Sequence, residues 1–201
     1  MAGRYVALEG IEGTGKSTMQ QHLASGLRRA GHSVIEVREP GGTPAGEEIR
    51  TVLLSHDYRV DPWTEALLMA ASRAQLAAEV IRPALARGDW VISDRSVYSS
   101  LAYQGGGRGL GVDLVRSVNE AGLEGTWPDV VVVLDVDPGI GLSRQRVADR
   151  IGAEGLEFQS RVAETFLALA EAEPDRVHVV DASPALDTVT AEVTRIVGNG
   201  S

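Results

Sequence analysis

Short apolar runs alternate along the chain with longer segments in which apolar residues recur every three or four positions. The runs predict β-strands, and the periodic segments predict helices. The run 130–134 is apolar at every position, which is typical of a central strand covered by helices on both faces. Because strands and helices alternate regularly, we expect a parallel sheet. The predicted strands are residues 4–9, 33–38, 89–94, 129–136 and 176–181.

Glycine and proline mark most of the expected helix boundaries. Gly31 and Gly122 are expected to end two helices, and Pro83 is expected to interrupt a long one. No internal repeat is visible, and no linker is long enough to separate two cores. We therefore expect a single α/β domain over residues 1–201, with a five-stranded parallel sheet between layers of helices. The predicted helices are residues 16–30, 45–54, 61–87, 113–121, 156–173 and 184–197, and one that runs from Pro138 towards Arg150.

The composition narrows the classes of partner. The chain has 19 basic and 28 acidic residues, and its net charge of −9 would repel duplex nucleic acid and an anionic membrane surface. It has no cysteine, which excludes disulfides, thiolate metal sites and cysteine nucleophiles. No apolar run is long enough to span a bilayer, and we expect no leader peptide before the first strand. We therefore expect a soluble cytoplasmic protein with no polymeric nucleic-acid partner and no membrane partner.

A glycine-rich loop lies between the first predicted strand and the first predicted helix. Residues 10–17 match the spacing G-x-x-x-x-G-K-S, in which backbone N–H groups surround phosphate oxygens. Lys16, the only lysine in the chain, would reach the transferred phosphoryl group, and Ser17 would bind Mg²⁺. The alternative is a strand–helix turn with a chance lysine. The motif predicts a P-loop NTPase fold that binds ATP and Mg²⁺ through Gly10, Ile11, Glu12, Gly13, Thr14, Gly15, Lys16, Ser17 and Thr18.

A second candidate site lies at the end of the third predicted strand, where a doubly wound sheet presents side chains to its crevice. Asp94 is expected to hold Mg²⁺ through water. Arg95 is expected to bind a phosphate through two N–H groups of its guanidinium. The alternative is an ion pair at the strand end.

A third candidate is a cluster of arginines on a predicted helix that leads into a glycine-bearing loop at 152–155. Arginines on a closing segment can neutralise the charge that spreads over a transferred phosphoryl group. We therefore interpret residues 144–156 as a short lid. The alternative is that these arginines solvate a helix surface. The cluster consists of Arg144, Arg146 and Arg150.

The histidines do not suggest general-base catalysis. All four are scattered along the sequence, and none lies beside a candidate nucleophile. A hydroxyl acceptor usually needs a base, whereas a phosphate acceptor is already mostly ionised at neutral pH. The sequence therefore favours phosphoryl transfer to a phosphate group.

Six ordered motifs resemble those of bacterial thymidylate kinases and span nearly the whole chain. They lie at residues 9–18, 38–43, 72–75, 94–96, 103–109 and 134–138, and include Arg-Glu-Pro-Gly-Gly-Thr at 38–43. The resemblance implies a homodimeric kinase that uses ATP and Mg²⁺ to convert dTMP to dTDP in dTTP biosynthesis. It also implies the bacterial layout, in which the lid carries the catalytic arginines Arg146 and Arg150, and Arg144 lies near ATP.

The resemblance also implies which side chains bind the acceptor nucleotide. Glu12 would accept a hydrogen bond from the 3′-hydroxyl, Arg95 would bind the acceptor phosphate, and Arg73 would contact the thymine edge. Ser100 would lie near the base, and Tyr103 would crowd the 2′ position and favour deoxyribose. The other implied substrate-binding residues are Arg38, Pro40, Met69, Ser99 and Gln104.

One position departs from the family pattern and keeps alternatives open. Met69 stands where the family usually places an aromatic ring against thymine, and it could pack on the base or simply fill the core. The nearest alternative function is therefore a kinase for another deoxypyrimidine monophosphate. A GTPase-like switch is disfavoured, because its Asn-Lys-x-Asp element would need a second lysine. A catalytically inactive interaction protein is a further alternative.

Overall fold

The computed structural model describes residues 3–144 and 149–198. Within these ranges, five parallel strands form a sheet in the order β2-β3-β1-β4-β5, with the first strand at its centre. The predicted five-stranded parallel sheet with flanking helices is therefore confirmed. The strands are β1 (Tyr5–Glu9), β2 (Val34–Arg38), β3 (Trp90–Asp94), β4 (Val130–Asp135) and β5 (Val177–Asp181).

Helices connect the strands, and several begin at residues suited to a helix start. α1 follows the glycine loop directly, whereas α2 and α3 have proline in the first turn and the N-caps Thr43 and Asp61. Across the described ranges, no helix combines the length and the apolar character needed to cross a membrane. The helices are α1 (Lys16–Arg29), α2 (Pro44–Leu54), α3 (Pro62–Leu76), α4 (Arg82–Ala86), α5 (Val97–Ser100), α6 (Val112–Leu123), α7 (Pro138–Arg144), α8 (Leu156–Ala172) and α9 (Leu186–Gly198).

The sheet has a hydrophobic core on each face. On one face, Ala7 and Val131 belong to a cluster with Phe166 of α8. On the other face, Val6 and Val132 belong to a cluster built with residues of α1 and α9. Successive strand residues point to opposite faces, so the continuous apolar runs of β1 and β4 contribute to both cores.

Gly122 does not end a helix as predicted. α6 continues to Leu123 and is followed by Glu124 in the left-handed conformation, with φ of 47°. A Cβ on Gly122 would lie 2.7 Å from the Cβ of Ala74 in α3. Glycine is therefore present because the two helices approach closely, and not because the backbone must turn.

A helical segment at 97–107 was not predicted. α5 continues into a π-helical segment at Leu101–Gly107. A Cβ on Gly106 would lie 1.9 Å from the Oγ1 of Thr165 in α8. These glycines therefore allow close helix packing, which local sequence patterns do not reveal.

One further helix boundary differs from the prediction. Pro83 lies in the first turn of α4, where its missing N–H is not needed, and the irregular π-helical segment Ala77–Ile81 lies before it. The helix from Pro138 is described as far as Arg144, and Arg150 lies in a turn.

Candidate active site

A cleft of about 410 Å³ opens at the carboxyl ends of β1, β2 and β3. This is the edge at which ligands bind to open α/β sheets. The predicted residues that line it are Glu12, Gly13, Gly15, Lys16, Ser17, Thr18, Arg38, Pro40, Met69, Arg73, Asp94, Arg95, Ser99, Ser100, Tyr103 and Gln104. Glu39, Arg50, Leu54, Asp149 and Ile151 also line it and were not predicted as site residues.

The glycine loop after β1 is shaped by close backbone contacts. Gly13 has φ of 75°, and a Cβ there would lie 2.1 Å from the carbonyl oxygen of Gly141 in α7. Gly15 has φ of 89°, but a Cβ there would meet no atom within 4 Å. Thr14 donates a hydrogen bond to the carbonyl oxygen of Ile11 at 3.2 Å. Glycine is thus required at position 13 both because a Cβ would clash and because φ is positive. At position 15 it is required only because φ is positive.

The Lys16 ammonium group is buried among carbonyl oxygens of the same loop. Its Nζ donates to the carbonyl oxygens of Ile11 at 2.7 Å and Gly10 at 3.2 Å. Burial lowers the pKa of Lys16 to about 8, and the nearby charge of Arg95 acts in the same direction. A phosphate anion in the cleft would favour the charged form of Lys16.

The two predicted metal ligands are adjacent. β1 and β3 are neighbouring strands with Leu8 opposite Asp94, which brings the Asp94 carboxylate close to the start of α1. Ser17 Oγ donates to Asp94 Oδ2 at 2.5 Å. Mg²⁺ prefers oxygen ligands and commonly takes the remaining ones from phosphates and water. The pair Ser17 and Asp94 therefore fits Mg²⁺.

Arg95 and Glu12 form an ion pair at the cleft. Arg95 also donates to the carbonyl oxygen of Gly10 at 3.3 Å and to Ser99 Oγ at 3.2 Å, and it lies 4.9 Å from the ring centre of Tyr103. The charge of Arg95 lowers the pKa of Glu12, although burial opposes this shift. Arg95 has φ of 74°, a conformation that costs on the order of 1–3 kcal/mol for a residue other than glycine.

Glu9 holds the turn that carries Arg95, and it was not predicted as a site residue. Its buried carboxylate accepts hydrogen bonds from N and Oγ of Ser96, both at 2.7 Å, and from Oγ of Ser99 at 2.6 Å. Burial raises the pKa of Glu9, and the serine hydrogen bonds oppose that shift. The sequence signal that could have identified Glu9 is its position as an acid at the end of an apolar strand.

Arg73 is held at the cleft wall by three contacts. Its guanidinium donates to Glu39 at 2.6 Å, to the side-chain oxygen of Asn119, and to the carbonyl oxygen of Ser96 at 3.1 Å. Glu39 lies inside the motif at 38–43 but was not predicted to act. No sequence motif marks Asn119, which α6 brings to Arg73.

Three buried polar atoms among the cleft residues have no hydrogen-bond partner within the described part of the chain. They are Glu39 Oε1, Ser100 Oγ and Tyr103 Oη. Burial raises the pKa of Tyr103, so its hydroxyl remains protonated at neutral pH. Because buried polar groups normally have partners, this wall is suited to a polar ligand. Met69 lies in the same cleft and also packs against the core.

The structure does not bring the described lid arginines to the cleft. Arg144 lies at the exposed end of α7 and does not line the cleft. Arg150 donates to the carboxylate of Glu65 at 2.7 Å and to the carbonyl oxygen of Leu53 at 2.9 Å. The buried carboxylate is a strong partner for a guanidinium, and Arg150 does not line the cleft. Arg146 lies outside the described residues.

A family model described as thymidylate kinase matches residues 8–193 of the chain. The chain belongs to the thymidylate kinase family. The thymidylate kinase of Deinococcus radiodurans is 47% identical over 194 residues, covering 95% of this chain and 94% of that protein. That of Thiobacillus denitrificans is 43% identical, covering 98% and 97% of the two chains. That of Bacillus pumilus is 42% identical, covering 98% and 96%.

The cleft of this thymidylate kinase family member has cationic groups that come from separate elements. Lys16 lies in the phosphate loop, whereas Arg95 and Arg73 come from the turn after β3 and from α3. Glu12 belongs to the loop but pairs with Arg95. The arrangement can hold two phosphorylated ligands next to each other.

Proposed function

We propose that this protein transfers the γ-phosphoryl group of ATP to dTMP, giving ADP and dTDP for dTTP biosynthesis. The observation that carries the proposal is one cleft that is lined both by a phosphate loop containing Lys16 and by Arg95, which comes from the turn after β3. Two cations in one cleft suit a reaction between two phosphorylated ligands, in which positioning and charge neutralisation provide most of the catalysis. Membership of the thymidylate kinase family supports the identity of the two substrates.

The phosphate loop, with Thr18 and Arg144, is the proposed ATP site. Backbone N–H groups of the loop and the N-terminus of α1 would bind phosphate oxygens. Lys16 would then exchange carbonyl oxygens of its own loop for a phosphate. Ser17 and Asp94 would hold Mg²⁺, which neutralises and orients phosphate oxygens when it is bound.

The part of the cleft around Arg95 is the proposed dTMP site. Arg95 would bind the acceptor phosphate, and Glu12 would accept a hydrogen bond from the 3′-hydroxyl. Arg95 must then exchange its ion pair with Glu12 for the phosphate, to which it can donate two parallel hydrogen bonds. Arg73 would donate to the base while Glu39 holds it in place. The remaining proposed contacts are Arg38, Pro40, Met69, Ser99, Ser100, Tyr103 and Gln104.

Residues 144–156 are the proposed lid. On closure, Arg150 would leave Glu65 and join Arg146 at the transferred phosphoryl group, whose charge the two arginines would neutralise. Closure would also exclude water, which otherwise competes with dTMP as the acceptor.

The proposed assembly is a cytoplasmic homodimer of single-domain chains that meet through α3 and α6. These helices carry Trp63, Leu67 and Leu114, whose exposed fractions are 38%, 55% and 59%. Exposed large apolar side chains on neighbouring helices are typical of an interface. Light scattering on the purified protein should give the dimer mass, and Leu67→Glu should shift it to the monomer mass. A monomeric wild type would contradict this assembly.

The proposed reaction is tested by measuring ADP release with each nucleoside monophosphate as acceptor. We expect the highest kcat/KM with dTMP and loss of transfer in Lys16→Ala, with a circular dichroism spectrum like that of the wild type. Faster turnover with dUMP or dCMP would favour the alternative that Met69 raises, a kinase for another deoxypyrimidine monophosphate. Retained activity in Lys16→Ala would contradict the mechanism.

A further inference from the structure

Glu65 is a fully buried carboxylate in the first turn of α3, on which four hydrogen bonds converge. Its Oε1 accepts from Gln104 Nε2 at 2.9 Å and from Arg108 Nε at 3.2 Å. Its Oε2 accepts from Arg108 Nη2 at 3.1 Å and from Arg150 Nη2 at 2.7 Å. One of these partners, Gln104, lines the cleft, whereas Glu65 itself does not.

The carboxylate of Glu65 is ionised at neutral pH. Burial raises the pKa of Glu65. The hydrogen bonds from Arg108 and Gln104 lower it by more than burial raises it, so the pKa lies below its ordinary value. An ionised carboxylate accepts hydrogen bonds and cannot donate them. Glu65 therefore offers its neighbours acceptors only.

This restriction fixes which way the side-chain amide of Gln104 points. An amide has a donor end and an acceptor end, and only the donor end can face a carboxylate. The nitrogen of Gln104 must therefore face Glu65, and the oxygen must point away from it. Within the described ranges, the side chain of Gln104 donates to Glu65 through Nε2, and Gln104 lines the cleft. The cleft wall thus carries a hydrogen-bond acceptor, Gln104 Oε1, whose orientation is set by the carboxylate of Glu65.

We propose that Glu65 is a positioning residue, which holds the oxygen of the Gln104 amide towards the base and so selects pyrimidines with an N–H at ring position 3. Thymine has a donor at this position, whereas cytosine has a lone pair that would face another acceptor. Such a mismatch of buried polar groups gives strong discrimination between substrates. The inference rests on the proposed function, which places Gln104 among the contacts to dTMP.

The test is the substitution Glu65→Gln, which replaces a side chain that only accepts by one that also donates. The amide of Gln104 can then turn round and present its nitrogen to the base. We expect the ratio of kcat/KM for dTMP to kcat/KM for dCMP to fall by about tenfold or more. A merely structural role for Glu65 would lower both values together and leave the ratio unchanged.

Two further variants separate positioning from general loss of stability. Glu65→Asp keeps a charge for the two arginines but shortens the reach to Gln104, so the ratio should also fall, and this variant remains informative if Glu65→Gln does not fold. The matched control is Glu173→Gln, which removes a partly buried carboxylate paired with Arg116 at 2.6 Å, away from the cleft. The ratio of kcat/KM for dTMP to kcat/KM for dCMP should be the same in this variant as in the wild type.

A double-mutant cycle tests whether Glu65 acts through Gln104. In a Gln104→Leu background, Glu65→Gln should no longer change the ratio. An unchanged ratio in both Glu65 variants, or an equal change in the Gln104→Leu background, would overturn the positioning role. Absence of dTMP phosphorylation by the wild type would instead overturn the proposed function, so the two failures are distinguishable.

Discussion

Arg73 Nε lies 2.6 Å from Glu39 Oε2, and both side chains are only 3% exposed. Burial raises the pKa of Glu39, and the charge of Arg73 opposes that shift. The two residues thus compensate each other's charge at the wall of the cleft. Because Asn119 and Ser96 bind the same guanidinium, its orientation is fixed from three directions.

Replacement of Glu39 by alanine should destabilise the protein by about 3–5 kcal/mol, because it leaves the buried charge of Arg73 without its counter-charge. Urea denaturation measures the loss. The control is Glu36→Ala, which removes an exposed ion pair with Arg28 at 2.7 Å and should cost less than about 1 kcal/mol. Equal losses in the two variants would contradict the importance of the buried pair.

Gly13→Ala should lower the free energy of unfolding by about 1–3 kcal/mol more than Gly15→Ala does. Both positions have positive φ, so both substitutions strain the backbone, but only Gly13 has a backbone oxygen 2.1 Å from the site of the added Cβ. Thermal or urea unfolding of the two variants provides the comparison. If Gly15→Ala proves the less stable of the two, contact between the loop and α7 is not what requires glycine at 13.

ATP binding should be accompanied by proton uptake near pH 8 and by little uptake near pH 6.5. The pKa of Lys16 is lowered to about 8 by burial, so about half of these groups are neutral at pH 8 in the free protein. Phosphate oxygens raise that pKa, so the neutral fraction takes up a proton on binding, whereas at pH 6.5 the group is already charged.

Calorimetric titration in two buffers with different ionisation enthalpies measures this uptake. Lys16→Arg is the control, because a guanidinium stays protonated at both pH values and should abolish the uptake from this position. Binding enthalpies that do not depend on the buffer at pH 8 would argue against a shifted pKa at Lys16.

Arg150→Ala should lower kcat by about 100-fold with little change in the KM for ATP, if the proposed lid brings this arginine to the transferred phosphoryl group. Arg108→Ala is a matched comparison, because it also removes a hydrogen-bond partner of Glu65. Its effect on kcat should be much smaller. Equal effects on kcat would indicate that Arg150 acts only through Glu65.

Local patterns were sufficient for the sheet and the phosphate loop. Continuous apolar runs identify buried parallel strands, and the spacing of Gly10, Gly15 and Lys16 identifies the loop, because both signals depend on residues adjacent in the chain. Local patterns were misleading where glycine serves packing. Gly106 and Gly122 lie inside helical segments. Glycine stands there because side chains from α8 and α3 leave no space for a Cβ.

The sequence by itself determined the fold, the phosphate loop and the family, since these depend on the order and spacing of residues. Tertiary structure alone decided which acids support the site. Glu39, Glu65 and Glu9 are far apart in the chain, yet each lies buried beside a polar group that it orients. A carboxylate acquires such a role only when folding removes it from water and brings its partners within hydrogen-bonding distance.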